Sequence, residues 1–278
     1  MTESKRNSQI IPQEEIQSYS QHVMDEFLKK TVVYPPLVIE LIFYPTHRAF
    51  KEDPKRSYAG TNFSERQEDR FSIHLCKACL KDITYLALQG MLEREMALCI
   101  QKLQSEFYCC NFKREIFPIM PVTGLAENHM REVVEKLECA LKNYLATQML
   151  IEMRLGLPQV YFYFFKINPD IADPENYQVV IPHHWTRALF LCRKLIEFMS
   201  IFLLEKRNVD FCRDLKSCWL KYNDYLLPED LNLLETLASL PDQQDSSPYP
   251  AKLVEMFKHV KTQLLATRKG VSTSTTLH

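Results

Sequence analysis

An α+β architecture, with a small sheet packed on long helices and an all-α C-terminal region behind it, is what this 278-residue sequence predicts. Three observations carry that expectation. Two short β-branched and aromatic runs, 37–44 and 70–75, lie in the first third of the chain. Long stretches with apolar residues at helical spacing follow, over 80–107 and 126–156. From Pro182 onward every periodic segment has the helical repeat.

Residues 1–10 are charged and polar and are expected to fray. From Pro12 to Lys30, Ile16, Tyr19, Val23, Phe27 and Leu28 recur at helical spacing and define a first helix. Pro35-Pro36 marks the entrance to a strand over 37–44. Residues 45–70 mix Pro with charge, carry the turn candidate Tyr58-Ala59-Gly60-Thr61, and read as a long surface connection or a short hairpin. Arg70 to Leu75 alternates and reads as the second strand. Leu80 to Phe107 is a long helix with its charges in the second half. In the helix over 126–156, Val133, Leu137, Leu141, Leu145 and Met149 form the apolar stripe, and Gly156 is the expected C′ cap with Pro158 beyond it. Tyr161 to Phe165 then precedes a segment with Pro169, Asp170, Asp173 and Pro174 that reads as a connection between halves, with a boundary near 170–180. Helices are expected over 184–205, 209–225, 229–239 and 249–266. This divides the chain into an α+β domain at 1–175, a helical region at 176–266 and a Ser/Thr-rich disordered tail at 267–278.

Composition narrows the function. Lys+Arg number 34 against 35 Asp+Glu, so no global field attracts nucleic acid or an anionic membrane, and neither is an expected partner. Glycine, at 5 residues against a usual share of about 7%, is too sparse for phosphate-binding loops, and Gly60, Gly90, Gly124, Gly156 and Gly270 are all isolated. The charged N-terminus lacks the apolar stretch of a signal peptide, which points to an intracellular, cytoplasmic protein. The apolar stretch Trp185 to Leu204 is interrupted by Arg187, Arg193, Lys194 and Glu197, as befits a buried amphipathic helix rather than a membrane span. Nine cysteines, an odd number scattered through periodic segments, argue against a disulfide framework.

The order strand, polar excursion with Tyr58-Ala59-Gly60, strand Phe71-Ser72-Ile73-His74-Leu75, then helix Leu86 to Ile100 resembles the core of the zincin-type metallopeptidases. In such families the long helix carries H-E-x-x-H, two zinc-binding His on one helix face with the Glu between them as general base. The corresponding residues here are Arg94, Glu95, Met96, Ala97 and Leu98. The Glu survives and both ligands are gone, because guanidinium has no free lone pair and Leu98 has no donor atom. Without the metal, the attacking water keeps its bulk acidity and Glu95 has nothing activated to deprotonate. The resemblance also implies a later helix offering an acidic third ligand; the helix over 131–156 takes that position, with Glu138 and Asn143 as the matching residues and Asn143 a poor zinc ligand. Read without the resemblance, Glu93, Arg94 and Glu95 are a charged, solvated edge of the helix.

Other chemistry is thinner. His74, Cys76 and Cys79 contain a C-x-x-C without a spaced second pair, and Cys99 lies one helical turn past Glu95, so zinc through His74, Cys76, Cys79 or Cys99 has only a single motif behind it. His183-His184 reads as polar material at a helix start. Tyr161 to Phe165 lacks the interleaved basic residues of a nucleic-acid platform and reads as core packing or a domain interface. The function expected is therefore a catalytically inactive zincin-like protein, a pseudoenzyme with no resident cofactor, acting on a protein or peptide partner as a binding module or scaffold. Two alternatives stand beside it: a metallohydrolase with substitute ligands Glu95, Cys99 and His74, and a helical interaction module unrelated to zincins.

Overall fold

The computed structural model describes residues 9–31, 33, 36–52, 62–67, 70–105, 107–119, 126–167, 172–243 and 247–265. Helix α1 (Ile16–Lys30) leads into strand β1 (Val38–Tyr44), a short helix α2 (His47–Lys51), strand β2 (Asn62–Gln67) and strand β3 (Arg70–Cys76). Two long helices follow, α3 (Tyr85–Leu103) and α4 (Ala126–Glu152). Then come α5 (Gly156–Lys166), α6 (Asp173–Val180), α7 (His184–Lys206), α8 (Cys212–Tyr222), α9 (Pro228–Gln243) and α10 (Tyr249–Val260). The architecture is α+β, with a three-stranded sheet and a predominantly helical remainder.

The sheet has the order β1-β3-β2, with β1 parallel and β2 antiparallel to the central β3. Its alternation has an unusual outcome. Phe71, Ile73 and Leu75 point to one face and Ser72, His74 and Cys76 to the other, yet all six are buried, because both faces are covered. On the first face, Lys102 of α3 reaches Ser64, the partner of Ile73 across the ladder. On the second, Phe50 of α2 packs edge-to-face on Tyr44, which pairs with Cys76.

Several boundaries differ from the sequence expectation. The 45–70 segment holds α2 and β2 as well as connection; β2 pairs with β3 beyond the segment rather than within it, and Tyr58-Ala59-Gly60-Thr61 lies outside the described residues. The α3 helix starts at Tyr85 rather than Leu80, because Lys77–Leu80 is a 3-10 turn, Asp82 takes a left-handed φ of 68°, and Thr84 caps the helix by accepting from the Ala87 N–H. The α4 helix ends at Glu152, and Arg154 rather than Gly156 takes the C′ position. Arg154 has φ 64°, its N–H bonds to Ile151 O at 2.9 Å, and the Leu155 N–H bonds to Leu150 O at 2.7 Å, a Schellman closure with an arginine in the left-handed position. Gly156 instead opens α5, and the aromatic run Tyr161 to Phe165 lies in that helix. The stretch expected as a connection near 170–180 contains α6. The tail 267–278 lies outside the described residues.

The helices of the C-terminal region match their expected positions closely, and Asn208 with φ 50° closes α7 as Arg154 closes α4. The most extensive helix pair joins α4 to α7, and α3 packs next most closely on α5. One hydrophobic cluster runs from Ile11 to Val260. Of the charges that interrupt the apolar stretch of α7, Glu197 pairs with Lys166, Lys194 with Asp173, and Arg187 grips Asp230 through Nε at 2.9 Å and Nη2 at 2.7 Å. Asp230 is buried and also accepts from the Tyr177 hydroxyl, so this network ties α6, α7 and α9 together. No helix among the described residues is long and apolar enough to cross a membrane.

Candidate functional site

Helix α3 is buried on nearly every side, held by α1, α4, α5 and the β2 edge of the sheet. This overturns the reading of Glu93, Arg94 and Glu95 as a solvated edge. Their exposures are 3%, 9% and 5%. Sequence could not reveal this, because the charges occur on a helix whose other faces are already apolar, and only the packing of α1, α4 and α5 removes the remaining faces from water.

Arg94 points toward α4 and α5. Its Nη1 donates to Glu95 Oε1 at 3.0 Å and its Nη2 donates to Asn143 Oδ1. The guanidinium carbon stands 5.5 Å from the Phe162 ring centroid, in cation–π range. Asn143 donates in turn to Cys139 Sγ at 3.5 Å. Burial opposes the guanidinium charge, but Tyr163 and Glu95 outweigh it and hold the Arg94 pKa above its ordinary value. The guanidinium is thus a permanent cation among a carboxylate, an amide oxygen and aromatic rings.

The residues matched by the zincin resemblance separate into two groups. Arg94, Glu95 and Asn143 converge, and Leu98 sits one turn along α3, half-buried against the core. Glu138 is elsewhere: it forms an ion pair with Lys142 at 2.7 Å and lies near Tyr249, whose hydroxyl is driven to higher pKa by burial and then by Glu138. Arg94 and Leu98 offer no lone pair, so the residues present do not fit a zinc ion.

The metal candidates at the sheet do not gather either. His74 and Cys76 share one face of β3, where the Tyr44 hydroxyl lies 2.7 Å from His74 Nδ1 and Glu65 Oε1 lies 3.5 Å from Nε2. Cys99 is on the α3 side, beside Ser64 and Lys102, and burial pushes its thiol up to about 12. Because Ser64 pairs with Ile73, Cys99 and His74 are on opposite faces of the sheet, and Glu95, Cys99 and His74 do not form one ligand set. Cys76 and Cys79 bring their sulfurs to 2.8 Å, and all nine cysteines are free thiols. Among the described residues no group of three or more His, Cys, Asp or Glu side chains is arranged to hold a metal. His183 and His184 start α7 exposed.

A second locus on α3 escaped the sequence reading. Tyr85, Gln89 and Glu93, at i, i+4 and i+8, face α1 across a cavity of about 370 Å³, with Tyr19 and Phe27 opposite and Leu155 at one end. Tyr19 and Tyr85 meet edge-to-face with ring centroids 4.9 Å apart. Gln89 donates to Glu93 Oε1 at 2.8 Å, while Glu93 Oε2 is buried with no hydrogen-bond partner among the described residues. Burial raises the Glu93 carboxyl to about 7, against the smaller opposing effects of Gln89, Lys30 and Gln159. The i, i+4, i+8 stripe was present in the sequence, but a matching stripe on α1, 55 or more residues earlier in the chain, had to be docked against it before a cavity existed.

No family model, curated protein or solved structure matches the chain. The class that fold and site define is therefore architectural: a mixed three-stranded sheet with a deeply buried central helix carrying an ion-paired guanidinium and a carboxylate that has no ion pair among the described residues.

Proposed function

We propose that the protein is a catalytically inactive zincin-like module, a pseudo-metallopeptidase whose site serves as a scaffold for a protein or peptide partner. One observation carries the reading: Arg94, at the position of the first lost zinc ligand, bonds both to Glu95 and to Asn143, one of the two residues matched to the acidic third ligand. A guanidinium in that position compensates the buried carboxylate as a metal would, but it accepts no water and cannot acidify one. Glu95 is then an ion-pair partner rather than a general base. The outer edge of β2 pairs with no strand among the described residues, and Lys102 fastens β2 to α3 through Ser64, which suits main-chain bonding to an extended peptide.

The test is elemental analysis of untagged protein expressed with added zinc, together with the variant Arg94→His, Leu98→His, Asn143→Glu. The wild type is expected to carry no stoichiometric transition metal, and the folded triple variant to gain one zinc per chain. A near-stoichiometric metal in the wild type overturns the inactive reading. A folded triple variant that takes up no zinc overturns the resemblance itself.

A further inference from the structure

We propose that the cavity between α1 and α3 is a binding site for a small organic ammonium, its N–H donors taken by the Glu93 carboxylate and its apolar part by Tyr19, Phe27 and Tyr85. This site is separate from the Arg94 cluster and does not depend on its interpretation. The volume of about 370 Å³ falls in the lower part of the range usual for small-molecule sites.

The chemistry of the floor selects the ligand. Glu93 lines the cavity and is 3% exposed, and its Oε2 has no hydrogen-bond partner among the described residues, while the Gln159 amide stands beside it outside the lining. An unmatched acceptor on a buried carboxylate calls for a donor, and a protonated amine brings up to three. Glu93 forms no ion pair among the described residues: Glu26 takes Lys29 at 2.8 Å, and Lys30 is exposed at the rim. The walls supply aromatic rings, which attract a cation at their faces and cover the carbon skeleton it carries. An anion would meet the carboxylate, and a bare metal ion would find no group of three ligands among the described residues.

A proton competes with the ammonium for Glu93. The charged and titratable groups around it are Lys30, Glu26 and His22 from α1, Tyr85 from α3, and the neutral amides of Gln89 and Gln159 from α3 and α5. With the carboxyl near 7, most of it is ionised at pH 8 and most is protonated at pH 6. Affinity is therefore expected to fall about tenfold between those two values as the carboxylate is titrated.

The experiment is calorimetric titration of the full chain with benzylammonium, using benzyl alcohol as a neutral probe of the same shape. Saturable benzylammonium binding at pH 8, weaker binding of the alcohol, and the fall toward pH 6 are expected. Glu93→Gln is expected to lose about ten- to a hundredfold in affinity, the worth of hydrogen bonds to a charged group, and to lose the pH dependence. No saturable benzylammonium binding, equal binding of benzyl alcohol, or an unchanged affinity in Glu93→Gln each overturns the proposal. The wild-type pH profile decides the same question should the variant not fold: an affinity that does not change between pH 8 and pH 6 removes Glu93 from the site.

Discussion

Glu93 and Arg94 are consecutive on α3 and both are withdrawn from solvent, yet among the described residues only Arg94 has a counter-charge. The roughly 100° turn between consecutive helical residues sends Arg94 toward α4 and α5 and Glu93 toward α1. Arg94 meets a carboxylate, an amide oxygen and an aromatic face, and stays charged. Glu93 meets one amide donor and a cavity, and its carboxyl is drawn toward neutrality. A buried charge with a counter-charge from the chain reads as architecture, whereas one without a counter-charge, beside a cavity, marks a place for something else to bind.

The contrast is broken most directly by Arg94→Met. Removing the guanidinium leaves Glu95 buried without its cation and should cost about 3–5 kcal/mol in urea unfolding; a loss under about 1 kcal/mol would mean that Arg94 is no keystone. At Glu93 the expected sign is opposite. Its carboxyl binds a proton more tightly folded than unfolded, so between about 4.5 and 7 the native state holds more protons, and stability falls as pH rises through that window. Glu93→Gln should therefore gain on the order of 2–3 kcal/mol at pH 8 and almost nothing near pH 4, measured by denaturant titration at both values. A gain that does not depend on pH would remove Glu93 from the titrating role.

Gly90 serves both sites at once. A Cβ there would stand 2.1 Å from Pro158 O, so α3 and α5 approach closely only because the side chain is absent, and that approach sets Phe162 near Arg94 and Gln159 near Glu93. Gly90→Ala should destabilise by about 1–3 kcal/mol and weaken the Arg94 cluster and the cavity together; thermal unfolding and benzylammonium titration check the two halves. The smallest effect is expected at Arg154, exposed and left-handed at φ 64°. Arg154→Gly should raise stability by about 0.5–1 kcal/mol by relieving that conformation while leaving both sites as they are. A drop in stability would show that the Arg154 side chain contributes a contact worth more than the strain.

Much of the fold was legible because it is written in local periodicity. Ile16 to Lys30, Val38 to Tyr44 and the helices of the C-terminal region appear where apolar spacing and Pro or Ser/Thr punctuation put them. Strand β2 was not legible: Asn62–Gln67 is polar and charged, and it is a strand because β3 offers it a ladder. The cap at Arg154 was misread for a related reason, since Gly156 is the residue that favours a left-handed turn and the chain nevertheless turns two residues earlier. Of the site, the absence of zinc donors at 94 and 98 could be read from residue identity alone. The meeting of Arg94 with Asn143, 49 residues away in sequence, could not.

The sequence by itself determined the element types, the long helices and the chemical inventory of α3, because a helix or strand repeat and a side chain's functional groups are local properties. Tertiary structure alone decided that β3 lies in the middle of its sheet with both faces covered, that three consecutive charges are buried, and that the two of them at 93 and 94 face different surroundings. The reason is that the cost of a buried charge is set by the groups gathered around it, and those come from α1, α4 and α5, which reach α3 only when the chain is packed.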